Sequence, residues 1–314
     1  MALNQTNKLA WIVQTIYKAK RISFEDLNEK WMENEDLSAG QELLKRTFHK
    51  WRVNILDTFG LNIECEKGGT YRYYISNAND LHNGSIEDWL LKTYTVSNTL
   101  IGCKSIKDRI LLEEVPSAAD YLEAIMDAMK QNRLIHITYY NYWQDSERQH
   151  FVMPLCLKLF RQRWYLVGKN KFNHMITIFC LDRITDFRLS SQSFNYAQEA
   201  FNPHTFFDGC IGVIANADVN IEHVVLKVSA TQANYLRDLP IHESQMEKEC
   251  HPDYSIFTMD VRPTFDFLQE LLWNGECIEV MQPLWLRKEI AERLILPESD
   301  IFSDSVRVVG WTDY

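Results

Sequence analysis

Between Leu43 and Leu56 the chain carries Lys45, Arg46, Lys50 and Arg52 and no carboxylate. The whole sequence, by contrast, has 43 acidic side chains against 33 basic ones and a formal net charge of −10. Cations gathered in one stretch of an acidic chain create the local positive potential that phosphate binding needs. Arg can contact guanine through two hydrogen bonds and Lys can neutralise phosphate, while Thr47 and His49 add hydrogen-bonding groups between the charges. A solvated basic face that contacts protein is the alternative for the charge run alone. A second set of candidates begins at Tyr139. Lys158, Arg161, Arg163 and Arg183 are interleaved with Tyr139, Tyr142, Trp143, Phe160 and Tyr165, and Asn141 and His150 could hydrogen-bond a sugar or base edge. Cations meet phosphate and rings stack on bases for ~1–3 kcal/mol each, so this set suits a nucleotide or a single strand. There is no phosphate-binding glycine loop, no His-Glu-x-x-His and no Gly-x-Ser-x-Gly, and the nine histidines are dispersed. A non-enzymatic protein without metal or cofactor is therefore expected.

The first set needs a scaffold. Leu9, Ile12, Val13 and Ile16 recur at helical spacing and predict a helix over residues 5–18. Ser23 followed by Asp26 predicts an N-cap, with Phe24, Leu27, Trp31 and Met32 as the next apolar stripe. Residues 34–40 read as a linker. A third helix is expected over 41–59, burying Leu44, Phe48, Trp51 and Ile55 and ending at Gly60. Residues 61–66 alternate as a strand, Lys67-Gly68-Gly69-Thr70 is a hairpin turn, and 71–75 return as the partner strand. Three helices followed by a β-hairpin is the winged helix-turn-helix order, in which the third helix enters the major groove. Lys67 and Arg72 would then put positive charge on the wing.

Turn residues at 77–80 and 82–85 mark a boundary. Ser85 can cap a helix beginning at Ile86, with Leu90, Leu91, Tyr94 and Val96 as its apolar surface. Pro116 opens another, carrying Tyr121, Leu122, Ile125, Met126 and Met129. From Leu134 the period changes to alternation. Short strands are expected around Ile135–Ile137–Tyr139, at 150–155, 158–160, 163–168 and 176–181, joined by hairpin turns. That pattern indicates a small, strongly bent sheet or barrel.

Here the chain resembles the WYL family. Trp164-Tyr165-Leu166 follows Arg163 and precedes a glycine two residues on, Tyr139 and Pro154-Leu155 lie upstream, and Leu181-Asp182-Arg183-Ile184 lies downstream. The resemblance implies an N-terminal winged helix, a Sm-like, SH3-type β-barrel WYL domain and a C-terminal extension. It also implies that the barrel binds a nucleotide-like or nucleic-acid ligand and adjusts DNA binding. Trp164 and Leu166 share a strand face and read as core, whereas Arg163 and Tyr165 lie opposite. Asp182 and Arg183 could instead pair with each other. The sequence departs from the family where Thr177, Cys180 and His150 stand at positions often held by arginine, which implies a changed ligand, weaker phosphate binding or a pocket kept only for structure.

Beyond residue 216 a β-α-β-β-α-β order reads as a ferredoxin-like unit, similar to the extension in which family proteins dimerise or cover the ligand. The expected fold class is α+β multidomain: winged helix at 1–75, helical linker at 76–132, WYL domain at 133–215, extension at 216–297 and tail at 298–314. No apolar run approaches the ~20 residues of a membrane helix. The N-terminus lacks the basic and apolar segments of a signal peptide. The seven cysteines form no Cys-x-x-Cys pair. The expectation is a cytoplasmic, homodimeric transcription regulator that binds double-stranded DNA, with a nucleotide or single-stranded nucleic acid as effector. The alternative is a protein-interaction module that modulates a partner enzyme.

Overall fold

Leu9, Ile12, Val13 and Ile16 are all buried on one side of helix α1 (Ala2–Ala19), as their spacing predicts. The structure, a computed structural model, describes residues 2–294 apart from 67, 70, 79–85, 103–107, 112–118, 143 and 217. The expectations for Lys67, Ser85, Pro116, Trp143 and the tail at 298–314 lie outside the described residues. The chain divides into two units, Met1–Glu113 and Glu114–Tyr314.

In the first unit, helix α2 (Phe24–Glu33) is capped by Ser23, whose Oγ accepts from the Asp26 N–H at 3.0 Å. The expected linker contains a single turn, α3 (Glu35–Ser38), capped by Asn34 and anchored by buried Leu37. Helix α4 (Lys45–Phe59) begins four residues later than the apolar pattern suggests. The cause is side chains of α2: Asn28 Oδ1 accepts from the Leu43 N–H at 2.7 Å, and Trp31 Nε1 donates to the Gln41 carbonyl at 2.9 Å. Those bonds satisfy backbone groups outside the helix, so Leu43 enters the core and Leu44 is left 65% exposed. Gly60 closes α4 in the left-handed region at φ 64°. Strands β1 (Ile63–Cys65) and β2 (Tyr73–Ile75) pair antiparallel, and Ile22 adds a one-residue third strand through two backbone bonds to Tyr73. Trp31 packs edge-on between Trp11 and Trp51, with centroids 5.4 and 5.5 Å away. Helix α5 (Ile86–Gly102) joins this core through Leu90, Leu91 and Tyr94.

The second unit opens with α6 (Ala119–Lys130), followed by β3 (Arg133–Asn141), β4 (Ser146–Phe160), β5 (Arg163–Asn170), β6 (Ile176–Cys180) and β7 (Ile184–Ser193). These strands form one antiparallel sheet in the order β6-β5-β4-β3-β7. Ile135, Ile137, Val152, Leu166, Phe179, Leu181 and Ile184 fall into one cluster with Ile125 and Ala128 of α6, so the sheet curls around a shared core. It does not close into the expected barrel. A 3-10 turn of three residues, Leu181–Arg183, carries the chain from edge β6 to edge β7, and no ladder joins those edges among the described residues. Trp164 and Leu166 face the core, as their alternation indicates.

Gly168, opposite Pro154, has no room for a side chain: a Cβ there would overlap Val152 Cγ1. Gly168→Ala is expected to lose about 1–2 kcal/mol by overpacking. A lower urea midpoint at unchanged slope checks it.

After the short helix α7 (Pro203–Phe206) come β8 (Glu222–Ser229), α8 (Ala230–Asp238), β9 (Met246–Cys250), β10 (Tyr254–Val261), α9 (Phe265–Trp273), β11 (Ile278–Gln282) and α10 (Leu284–Leu294). The sheet order is β11-β8-β10-β9, and the helices bury Phe267, Leu271 and Leu236 against Val224, Leu226 and Phe257. The protein is thus a mixed α/β chain of several sheets and helices. Among the described residues no helix is long and apolar enough to cross a membrane.

Candidate functional site

Helix α4 turns Phe48, Ile55 and Phe59 inward. The opposite face is a continuous stripe of Arg46, Lys50 and Val53, flanked by His49 and Leu56 and ending at Asp57. Neither Arg46 nor Lys50 forms an ion pair among the described residues, and both are exposed. Lys45 lies 3.4 Å from Glu25 and 5.2 Å from the Phe24 centroid, so it is partly engaged with α2. Thr47 is half-buried at the edge of the face.

Arg52 has a different place. Its Nε donates to the Ile63 carbonyl at 2.8 Å, its Nη2 bonds the same oxygen, and it lies over the Tyr73 ring. It therefore ties α4 to the hairpin. Its Nη1 also lies 3.4 Å from His49 Nδ1. Arg72 is exposed beside β2. Val53, 59% exposed in the middle of the stripe, was not among the sequence candidates. Its spacing from Lys50, opposite to Ile55, is the signal that could have found it. An apolar side chain there suits a thymine methyl group.

In the second unit Tyr139, His150 and Arg183 of the expected ligand residues come together, whereas Lys158, Arg161 and Arg163 are engaged elsewhere. Lys158 donates to the Gly212 carbonyl at 2.6 Å and lies 3.8 Å from the Phe207 centroid. Burial pulls its ammonium below the ordinary lysine range, against Cys210 and Asp266, which favour the charge. Arg161 pairs with Glu270 of α9 at 2.7 Å. Arg163 pairs through Nε and Nη2 with one oxygen of Asp182, which also accepts from Cys180 Sγ at 3.3 Å. The 3-10 turn thus directs Asp182 to β5 rather than to Arg183. Tyr165 is half-buried beside Cys180, and burial raises its hydroxyl above the ordinary value.

Arg183 remains. Its guanidinium lies 5.0 Å from the Tyr139 centroid and 4.7 Å from that of Tyr142, and it forms no ion pair among the described residues. Tyr142 is 64% exposed, so one ring of this site faces solvent. Tyr139 is 8% exposed; its hydroxyl accepts from the Cys180 N–H at 3.3 Å, and burial pushes its pKa up to about 12. Behind it Phe179 and His150 stack edge-on at 5.1 Å, and burial, helped by Arg148, lowers the His150 pKa. Neutral His150 and uncharged Tyr139 leave Arg183 as the fixed charge of this group. Asn141 accepts from the Gln144 N–H at 3.3 Å and shapes the adjoining turn.

A curled five-stranded sheet with this Arg–Tyr group, followed by a β-α-β-β-α-β unit, defines a multidomain α/β protein. Residues 120–189 match the WYL domain and residues 220–294 the WCX domain. The chain therefore carries a WYL domain followed by a WCX domain. It is similar to proteasome accessory factor B/C (PafBC) of Arthrobacter aurescens, at 18% identity and a TM-score of 0.36. That match covers 94% of this chain, which spans 46% of the length of the PafBC chain. It is also similar to a CRISPR Cas-related protein, at 10% identity and a TM-score of 0.39, over 84% of this chain and 74% of that one. No curated protein sequence matches it.

Proposed function

We propose that the protein is a cytoplasmic, homodimeric, non-enzymatic transcription regulator that binds double-stranded DNA through α4 and is adjusted by a ligand at its WYL domain. The observation that carries this reading is the face of α4: Arg46 and Lys50 form no ion pair there among the described residues, while Arg52 behind them locks the helix to its hairpin. Helix order, hairpin and the Ile22–Tyr73 bridge support a winged helix-turn-helix, a fold that sets its third helix into the major groove. The strand order of the curled sheet supports an SH3-type sheet that stops short of closure, and that of the WCX unit a ferredoxin-like one. Selection of bound duplexes from a random pool, followed by affinity against salt, tests the reading. An inverted repeat and a steep salt slope are expected. No enrichment, with weak salt-insensitive binding, would shift the assignment to a protein-interaction module.

The ligand is an anion with a stackable ring, because Arg183 supplies charge and Tyr142 an exposed ring face. To regulate, it must bind two arrangements of the dimer with different affinity. With a panel of nucleoside mono- and diphosphates as probe, Tyr142→Ala with Arg183→Ala should reduce the response of operator binding about tenfold or more. Basal operator affinity should be unchanged. Titration of operator complexes in the presence of each nucleotide checks both halves, and an undiminished response removes this pair from the site.

A further inference from the structure

Helix α5 has two apolar faces. Leu90, Leu91 and Tyr94 pack on the core of the first unit, and the Tyr94 ring meets Phe59 of α4 edge-on at 6.2 Å. Val96, which the apolar pattern groups with them, is instead 58% exposed. It falls in a second row of Ile86, Trp89, Thr93, Val96 and Leu100, which alternates steps of three and four residues. Ile86 is 72% and Trp89 43% exposed, Thr93 is exposed and Leu100 half-buried. The row runs ~21 Å along the helix and sits roughly a third of a turn round from the buried face.

Single exposed apolar side chains need no explanation, but a repeated row of them does. This one carries no charge. Lys92 lies beside it, and its ammonium is drawn back to Asp88, one turn earlier, at 2.7 Å. From Thr93 to Gly102 the helix has no acidic or basic side chain at all. At the centre, Thr93 Oγ1 donates to the Trp89 carbonyl at 2.8 Å, so its hydroxyl is satisfied within the helix.

We propose that this row is the surface through which two copies of the chain pair, α5 against α5. The inference rests on the homodimer of the proposed function and names its interface. Steps of three and four are what a helix presents to another helix, because the side chains then meet along the whole length of the seam. A chain of net charge −10 meets its copy here without a carboxylate in the row. A two-fold axis through Thr93 sets this small residue against its counterpart, so the two backbones approach closely. The exposed part of the row comes to ~500 Å² on each copy, so a pair buries about 1,000 Å², the floor for a specific interface. The dimer is therefore weak in free solution and tightens when paired half-sites hold both copies. Through Tyr94 and Phe59 the same seam sets the separation of the two α4 faces.

Sedimentation velocity of the full chain over a concentration series tests it. The parent should pass from monomer to dimer as concentration rises. Val96→Glu sets like charges across the seam and should weaken pairing about tenfold or more. Val96 is exposed in the single chain, so its urea midpoint should not move. Thr93→Cys, with Cys103 and Cys250 replaced by serine, should give a covalent dimer on oxidation with diamide. Trp273→Ala and Leu284→Ala remove exposed apolar side chains of the second unit and should pair like the parent. R46E/K50E should also pair like the parent while losing the duplex, so a failure of the DNA-binding reading leaves the dimer signal intact. The inference is overturned if the parent stays a monomer at every concentration or if Val96→Glu pairs as well as the parent. It is also overturned if pairing is lost only in the second-unit variants.

Discussion

Arg46→Glu together with Lys50→Glu is expected to lose at least about a hundredfold in affinity for the selected duplex. Each contact to a base edge is worth about 1–3 kcal/mol, and reversing both charges adds repulsion from the phosphates. The slope of log affinity against log salt should become shallower by about 0.9 for each of the two that meets a phosphate. Both side chains are exposed and neither forms an ion pair among the described residues, so the fold should be unchanged to within about 0.5 kcal/mol. That separation makes the pair a cleaner test than Arg52. Removing Arg52 would also free the Ile63 carbonyl and loosen the hairpin, so lost binding would have two causes. Anisotropy titrations at several salt concentrations, beside a denaturant melt, decide it. Retained binding at moderate salt would remove α4 as the recognition element.

The contrast between Arg46 and Arg52 shows what the sequence made legible. Acid depletion from Leu43 to Leu56 is a local property, and it marks the α4 face correctly as a basic one. Alternation likewise assigns Ile135, Ile137 and Leu166 to the core, because strand faces follow from a period of two. What a cation does is not local. Lys158 ends on a carbonyl 54 residues away, Arg161 on a carboxylate 109 residues away and Arg163 on one 19 residues away. All three read as ligand groups in sequence, and tertiary contacts engage each of them. Arg183 differs because its turn aims it over two tyrosines instead of at a carboxylate. The start of α4 departs from the apolar pattern for the same reason: Asn28 and Trp31 of another helix hold the backbone at Leu43 and Gln41, and helical periodicity does not encode them. Closure of the sheet depends on whether β6 and β7 meet, a contact between edges that strand-by-strand patterns do not encode.

Arg163→Ala should therefore act on stability first. The Asp182 side chain is 10% exposed, one of its oxygens is buried without a hydrogen bond among the described residues, and the other depends on Arg163 and the weak Cys180 thiol donor. Removing the guanidinium strands a buried carboxylate, a change that costs about 3–5 kcal/mol for fully buried pairs. The Arg163 side chain is 35% exposed, so solvent screening reduces the expected loss to about 2–3 kcal/mol. Asp182→Ala in the same background should recover part of it, because the uncompensated charge goes with the carboxylate. Urea melts of the two single variants and the double variant form the cycle that measures the pair. A single variant within about 0.5 kcal/mol of the parent would show that water replaces Arg163 without cost. The cycle also governs how ligand experiments are read. If Arg163→Ala blunts the nucleotide response while its melt shifts, the carboxylate at the 3-10 turn has moved, and with it the neighbouring Arg183. A response lost in Y142A/R183A without a melt shift has no such route and reports contact with the ligand itself.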